Sequence, residues 1–105
     1  MNTFPNQDAT LNIWVDSSEE ICRKIQIIYS KMPGWMGFSG NGIPHWFSFE
    51  DSDNIKMVCA SVEPAGLQIC ANMEANEWNL WIDDFKKVAS IELGYAVGEL
   101  EDGYL

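Results

Sequence analysis

The sequence predicts an α+β fold: an antiparallel sheet of about four strands with two helices packed on one face, in the order β-α-β-β-β-α. Three observations predict it. Apolar residues recur at helical spacing in two stretches, 21–32 and 78–89. Between them, residues 43–73 form three apolar or alternating segments divided by turn-forming residues. The chain is 47% hydrophobic and 12% aromatic over 105 residues, which suits one core and a single domain spanning 1–105.

The elements follow in order. Leu11-Asn12-Ile13-Trp14-Val15 alternates and predicts the first strand. Asp16-Ser17-Ser18 offers an N-cap, and Ser17 with Glu20 makes a capping-box pattern. Glu19 and Glu20 favour the positive end of a helix dipole. Ile21, Ile25, Ile28, Tyr29 and Met32 lie on one side of that helix, which Pro33-Gly34 ends. Residues 33–42, with four glycines among Trp35, Met36 and Phe38, predict a loop. Strands are expected over 43–50, 55–63 and 67–73, with turns at Asp51-Ser52-Asp53-Asn54 and Pro64-Ala65-Gly66. In the last of them Leu67, Ile69, Ala71 and Met73 share one face, and Gln68, Cys70 and Asn72 share the other. Asn76 is placed to cap a second helix carrying Trp78, Trp81, Ile82, Phe85, Val88 and Ala89 on one stripe. Leu93-Gly94 is its expected stop.

Charge narrows the function. Sixteen Asp and Glu stand against six Lys and Arg, for a formal net charge of -10. A folded domain so acidic repels nucleic acid and anionic membrane and attracts basic partners. Met1 to Val15 lacks both a basic n-region and an unbroken apolar h-region, and no apolar run reaches the length of a membrane span, so a cytoplasmic protein is expected. Cys22, Cys59 and Cys70 are odd in number and widely spaced, which predicts reduced, buried small hydrophobes.

Little in the sequence points to catalysis. His45 is the one histidine and has no partner residue suggesting a triad or zinc site. The acidic turn after Glu50 lacks the glycine and closing glutamate of a calcium loop. The glycine-rich stretch has no lysine suited to phosphate binding. The expectation is a non-enzyme with no cofactor and no metal. Asp83-Asp84 followed by Lys86-Lys87 reads as a solvated helical face, or as one flank of an acidic binding surface.

The most distinctive pattern lies near the end of the chain. Trp78, Trp81 and Phe85 on the helix lead into Leu93-Gly94-Tyr95, Val97-Gly98-Glu99 and Glu101-Asp102-Gly103-Tyr104. This pattern resembles small immunity proteins of bacterial polymorphic and contact-dependent growth-inhibition toxin systems. The resemblance implies a cytosolic, non-enzymatic inhibitor of a cognate toxin domain, a basic one and often a nuclease. It implies binding without nucleic acid or membrane, by a monomer or weak dimer. Glu99, Glu101 and Asp102 would then supply negative charge, with Asp83 and Asp84 joining them. Tyr95, Tyr104, Trp35 and Phe38 would supply apolar anchors. Trp35 and Phe38 fit equally a plug folded back on the body, and Tyr95 fits a cover over the core. Two other readings stay open. One is an acidic adaptor or nucleic-acid mimic, weakened by the scatter of the acids. The other is a small enzyme or ligand carrier, which a cavity with convergent polar groups would favour.

Overall fold

A computed structural model describes residues 3–16 and 18–105. It is an α+β fold in which a five-stranded antiparallel sheet, ordered β1-β5-β4-β3-β2, carries two helices. The strands are β1 (Asn6–Leu11), β2 (Trp35–Phe38), β3 (Pro44–Trp46), β4 (Met57–Glu63) and β5 (Gly66–Asn72). The helices are α1 (Glu19–Lys31), between β1 and β2, and α2 (Ala75–Leu93), after β5; a short 3₁₀ turn covers Leu100–Asp102.

The predicted helical stripes make the core. Ile25, Ile28, Tyr29 and Met32 are buried from the first helix and its cap, and Trp78, Trp81, Ile82, Phe85 and Ala89 from the second. They meet Ala9, Leu11, Val58, Ala60, Leu67, Ile69 and Ala71 in one cluster. Alternate residues of a strand point to opposite faces. The row Asp8, Cys70, Cys59, His45, paired strand to strand, therefore lies on the face away from that core. Helix α1 starts at Ser18, whose hydroxyl accepts from Ile21 N at 3.3 Å, while Asp16 Oδ1 accepts from Ser18 N at 2.8 Å. The capping-box serine, Ser17, lies outside the described residues.

Several boundaries differ from the sequence expectation, each for a local reason. The first strand is Asn6–Leu11, not 11–15. Its outward residues are polar and its inward ones are Gln7, Ala9 and Leu11, so the apolar signal sits late. Beyond Leu11 the backbone leaves the sheet: Ile13 N bonds back to Leu11 O, and Asn12 N to Gly98 O. Ile13 still enters the core.

The glycine-rich stretch is not a loop throughout. It forms β2 and turns into β3, with a register shift between Trp35 and Gly37, where Gly37 has φ +97°. Ser39 closes this hairpin, its N–H donating to Ile43 O and its hydroxyl accepting from Asn41 N and Ile43 N. The strand expected over 43–50 is cut to Pro44–Trp46, because Phe47 turns the chain with φ +71°. Its N–H bonds to Gly34 O, and the Lys56 ammonium sits 4.3 Å from the centre of its ring.

The N-cap of α2 falls two residues before the expected Asn76, so the helix begins at Ala75. Glu74 is the N-cap and makes no side-chain cap bond. Gly94 ends the helix as expected, in the left-handed conformation. The cysteines are free but not buried: Cys70 is exposed, and Cys22 and Cys59 are half-buried. Cys59 and Cys70 alternate with core residues and so face outward, where burial is incomplete.

Candidate functional site: the β1 edge and the C-terminal segment

Residues 95–105 are bound to the body through a buried asparagine. Asn12 is 1% exposed. Its Nδ2 donates to Ala96 O at 3.0 Å, and its Oδ1 accepts from Gly98 N at 2.8 Å. Its backbone N–H donates to Gly98 O, and its carbonyl accepts from the Tyr95 hydroxyl at 2.8 Å. A second support comes from α2. Ser90 Oγ accepts from Val97 N at 2.8 Å, and Lys86 Nζ holds Glu99 Oε2 at 2.7 Å. Val97 enters the core, and Glu99 bridges to Leu11 beside β1. A buried polar group must find partners or cost stability, and Asn12 meets that need by ordering the segment.

The ordered segment lines two recesses. One, of about 300 Å³, is lined by Asp8, Thr10, Ala65, Glu99 and Glu101 among others. The other is lined by Asn12, Trp14, Tyr95, Ala96, Tyr104 and Leu105. Trp14 is 47% exposed, and Tyr95 and Tyr104 are each 41% exposed. Tyr104 lies against Gly98, where an added Cβ would fall 2.4 Å from the ring. Glycine at 98 thus lets the ring lie flat on the chain. Glu101 and Asp102 stand exposed on the 3₁₀ turn, which Gly103 ends with φ +91°. Partial burial pushes the Tyr95 phenol above its ordinary value, so it stays a neutral donor to Asn12.

The nine residues selected from sequence divide between two places. Glu99, Glu101, Asp102, Tyr95 and Tyr104 lie on the segment that runs along the β1 edge. Asp83 adjoins them through Lys86, which it meets at 3.9 Å, while Asp84 is exposed on the same helix. Glu99 is engaged by Lys86 and largely covered, so the free negative charge of this edge rests on Glu101, Asp102 and Asp8. Trp35 and Phe38 lie on β2 at the opposite edge of the sheet, four strand spacings or about 19 Å across. Trp35 packs against Tyr29 and Trp46, at 5.8 and 5.2 Å between ring centres, as a plug does. Phe38 stacks edge-on to Trp35 but remains 45% exposed.

Sequence reasoning missed Trp14 and Asn12. A signal existed for Trp14: with Leu11, Ile13 and Val15 directed inward, the tryptophan between them faces out. None existed for Asn12, whose role depends on a segment over eighty residues away.

His45 is buried against Phe49, and its Nδ1 donates to Ile43 O at 2.8 Å, a structural arrangement. Among the described residues, no group of three or more His, Cys, Asp or Glu is placed to hold a metal ion. Nor is any helix among them long and apolar enough to cross a membrane. No protein-family model, curated protein or solved structure matches the chain.

Proposed function

We propose that this protein is an immunity protein that binds and neutralises a cognate bacterial toxin domain, a basic one such as a nuclease, by covering its substrate cleft. The observation that carries this reading is the recess lined by the part-exposed Trp14, Tyr95 and Tyr104, in a C-terminal segment that also carries the exposed Glu101 and Asp102. Tryptophan and tyrosine dominate the energetic centres of protein interfaces, because they bury large area at small entropic cost. Acids around them raise the association rate with a basic partner and exclude acidic ones. The net charge of -10 acts in the same direction at longer range. The resemblance of residues 78–104 to toxin-system immunity proteins supports the same class of partner.

On this reading the protein acts by binding and needs no catalytic group, cofactor or metal. A toxin cleft shaped for phosphates accepts Glu101 and Asp102 in their place, while the aromatic trio seats on the apolar rim. The test begins with capture of the bound chain from native cells, identified by mass spectrometry. Recovery of the C-terminal toxin domain of a large secreted or surface protein is expected. The purified domain should then bind Trp14→Ala at least about thirty-fold more weakly, the cost of losing a central aromatic anchor. Glu101→Lys/Asp102→Lys should chiefly slow association at low salt. Wild-type affinity in both variants would remove this edge as the interface. Recovery of a DNA-binding or regulatory protein would point instead to an acidic adaptor or mimic.

A further inference from the structure

The open face of the sheet carries two thiols side by side. Cys59 on β4 and Cys70 on β5 are direct cross-strand partners. The two-residue turn after Glu63 makes Glu63 and Gly66 a hydrogen-bonded pair, and alternation along the unbroken register makes Cys59 and Cys70 another. Such pairs hold their Cα atoms about 5.5 Å apart, within the range that disulfides span. Both residues line one groove of about 410 Å³ with Asp8, Asp51 and Asp53. Cys70 is exposed and Cys59 half-buried, so a small reagent can reach the pair. Cys22 lies on α1, its thiol directed to Asp16 O, and takes no part.

We propose that Cys59 and Cys70 form a cross-strand dithiol site that a cationic low-molecular-weight disulfide converts into an intramolecular disulfide. The preference for a cation follows from the three carboxylates lining the groove, since an anionic disulfide is repelled by them. In the first step Cys70, as thiolate, attacks one sulfur of the reagent. The reagent S–S bond breaks, one thiol leaves and takes a proton, and a mixed disulfide forms on Cys70. Cys59 then loses its proton to solvent and attacks the Cys70 sulfur, expelling the second reagent thiol. Two protein thiols are oxidised, and one reagent disulfide is reduced to two thiols.

The surroundings tune the rate. Burial first, then the Cys70 thiol and Asp51, push the Cys59 thiol up; burial first, then Asp8 and Asp51, push Cys70 up. Both therefore sit as neutral thiols at neutral pH, and reaction quickens in mild alkali. Directly opposed Cβ atoms lie about 4.5–5.5 Å apart, whereas a disulfide draws them to about 3.5–4.5 Å. The strands must close slightly, which favours a bridge that a mild reductant reopens.

The test uses the full chain with Cys22→Ser, treated with cystamine and followed by intact mass and peptide mapping. The expected end state has lost two hydrogens, carries no adduct, and yields a peptide pair linked through Cys59 and Cys70. The further variant Cys59→Ser should stop at one stable cysteamine adduct on Cys70. A protein with both thiols that ends with two adducts, or does not react, overturns the site. Oxidised glutathione, an anion, should close the bridge about tenfold more slowly. Equal rates for the two reagents overturn the cationic preference.

Discussion

The two ends of the sheet are finished by different means. At the β2 end, aromatic rings do the work. Trp46 of β3 lies 5.2 Å from each of Tyr29, Trp35 and Trp81, and Phe85 stacks beneath Trp81 at 5.6 Å. The two indoles nearest the centre donate to backbone carbonyls, Trp46 to Tyr29 O and Trp81 to Pro33 O, both at 3.1 Å. At the β1 end, small and aliphatic residues line the core, and hydrogen bonds through Asn12, Ser90 and Lys86 close the edge. The aromatic end is held by area, which is non-directional and tolerant of irregular strands. The polar end is held by directed bonds, which fix the outline of a surface to within a rotamer. At the β1 edge those bonds order the segment that carries the exposed Tyr95, Tyr104, Glu101 and Asp102.

This contrast predicts a graded set of outcomes. Trp46→Ala should cost the most, about 3–5 kcal/mol in urea unfolding, because it opens a cavity beneath β2 and β3. A loss below about 1 kcal/mol would show that the rings there are not the main support. At the other end, Gly66→Ala should cost about 1–3 kcal/mol through backbone strain. Its Cβ would fall 2.3 Å from Leu11 O, and its φ of +148° suits glycine.

Asn12→Ala should also cost about 1–3 kcal/mol, the penalty for leaving backbone partners unpaired. It carries a finer signature in hydrogen exchange. The Gly98 amide, which donates to Asn12, should lose protection before the Val97 amide, which donates to Ser90. Equal loss at both would mean that the segment is released as one unit. Glu99→Gln should cost at most about 1 kcal/mol, shrinking with added salt, as expected for a partly exposed ion pair with Lys86. Glu101→Lys/Asp102→Lys should change stability by less than about 0.5 kcal/mol, as substitutions at exposed positions do. Denaturant curves on the variant used for binding would confirm that any lost affinity is not lost folding.

The helices and the two central strands were legible because their signals are periodic and local. Ile25, Ile28 and Tyr29, then Trp78, Trp81, Ile82 and Phe85, repeat at the helical period, and Leu67, Ile69 and Ala71 at the strand period, so burial of one face follows directly. The edge strands were not. In Asn6–Leu11 one side is polar and the other offers glutamine, alanine and leucine, while Trp35–Phe38 includes a glycine that disguises a bulged strand as a loop. An edge strand pairs with one neighbour instead of two, so tertiary context outweighs intrinsic preference there.

The candidate site was legible in part. The C-terminal pattern singles out Glu99, Glu101, Asp102 and Tyr104; in the structure Glu99 is engaged by Lys86, and Trp14 and Asp8 from the other end of the chain line recesses with this segment. Trp35 and Phe38 share only their chemistry with that group, and the strand order places them at the other edge.

Composition and periodicity determine the broad facts: an acidic domain, two amphipathic helices and a sheet with one face in the core. These depend on charge and on hydrophobic spacing, which neighbouring residues carry between themselves. Which acids stay free, which aromatics remain exposed and which cysteines meet depends on contacts between distant segments. Asn12 binding Gly98, and Cys59 opposite Cys70, are fixed by strand register and order. Only folding brings those residues within the few ångströms over which hydrogen bonds and thiol chemistry act.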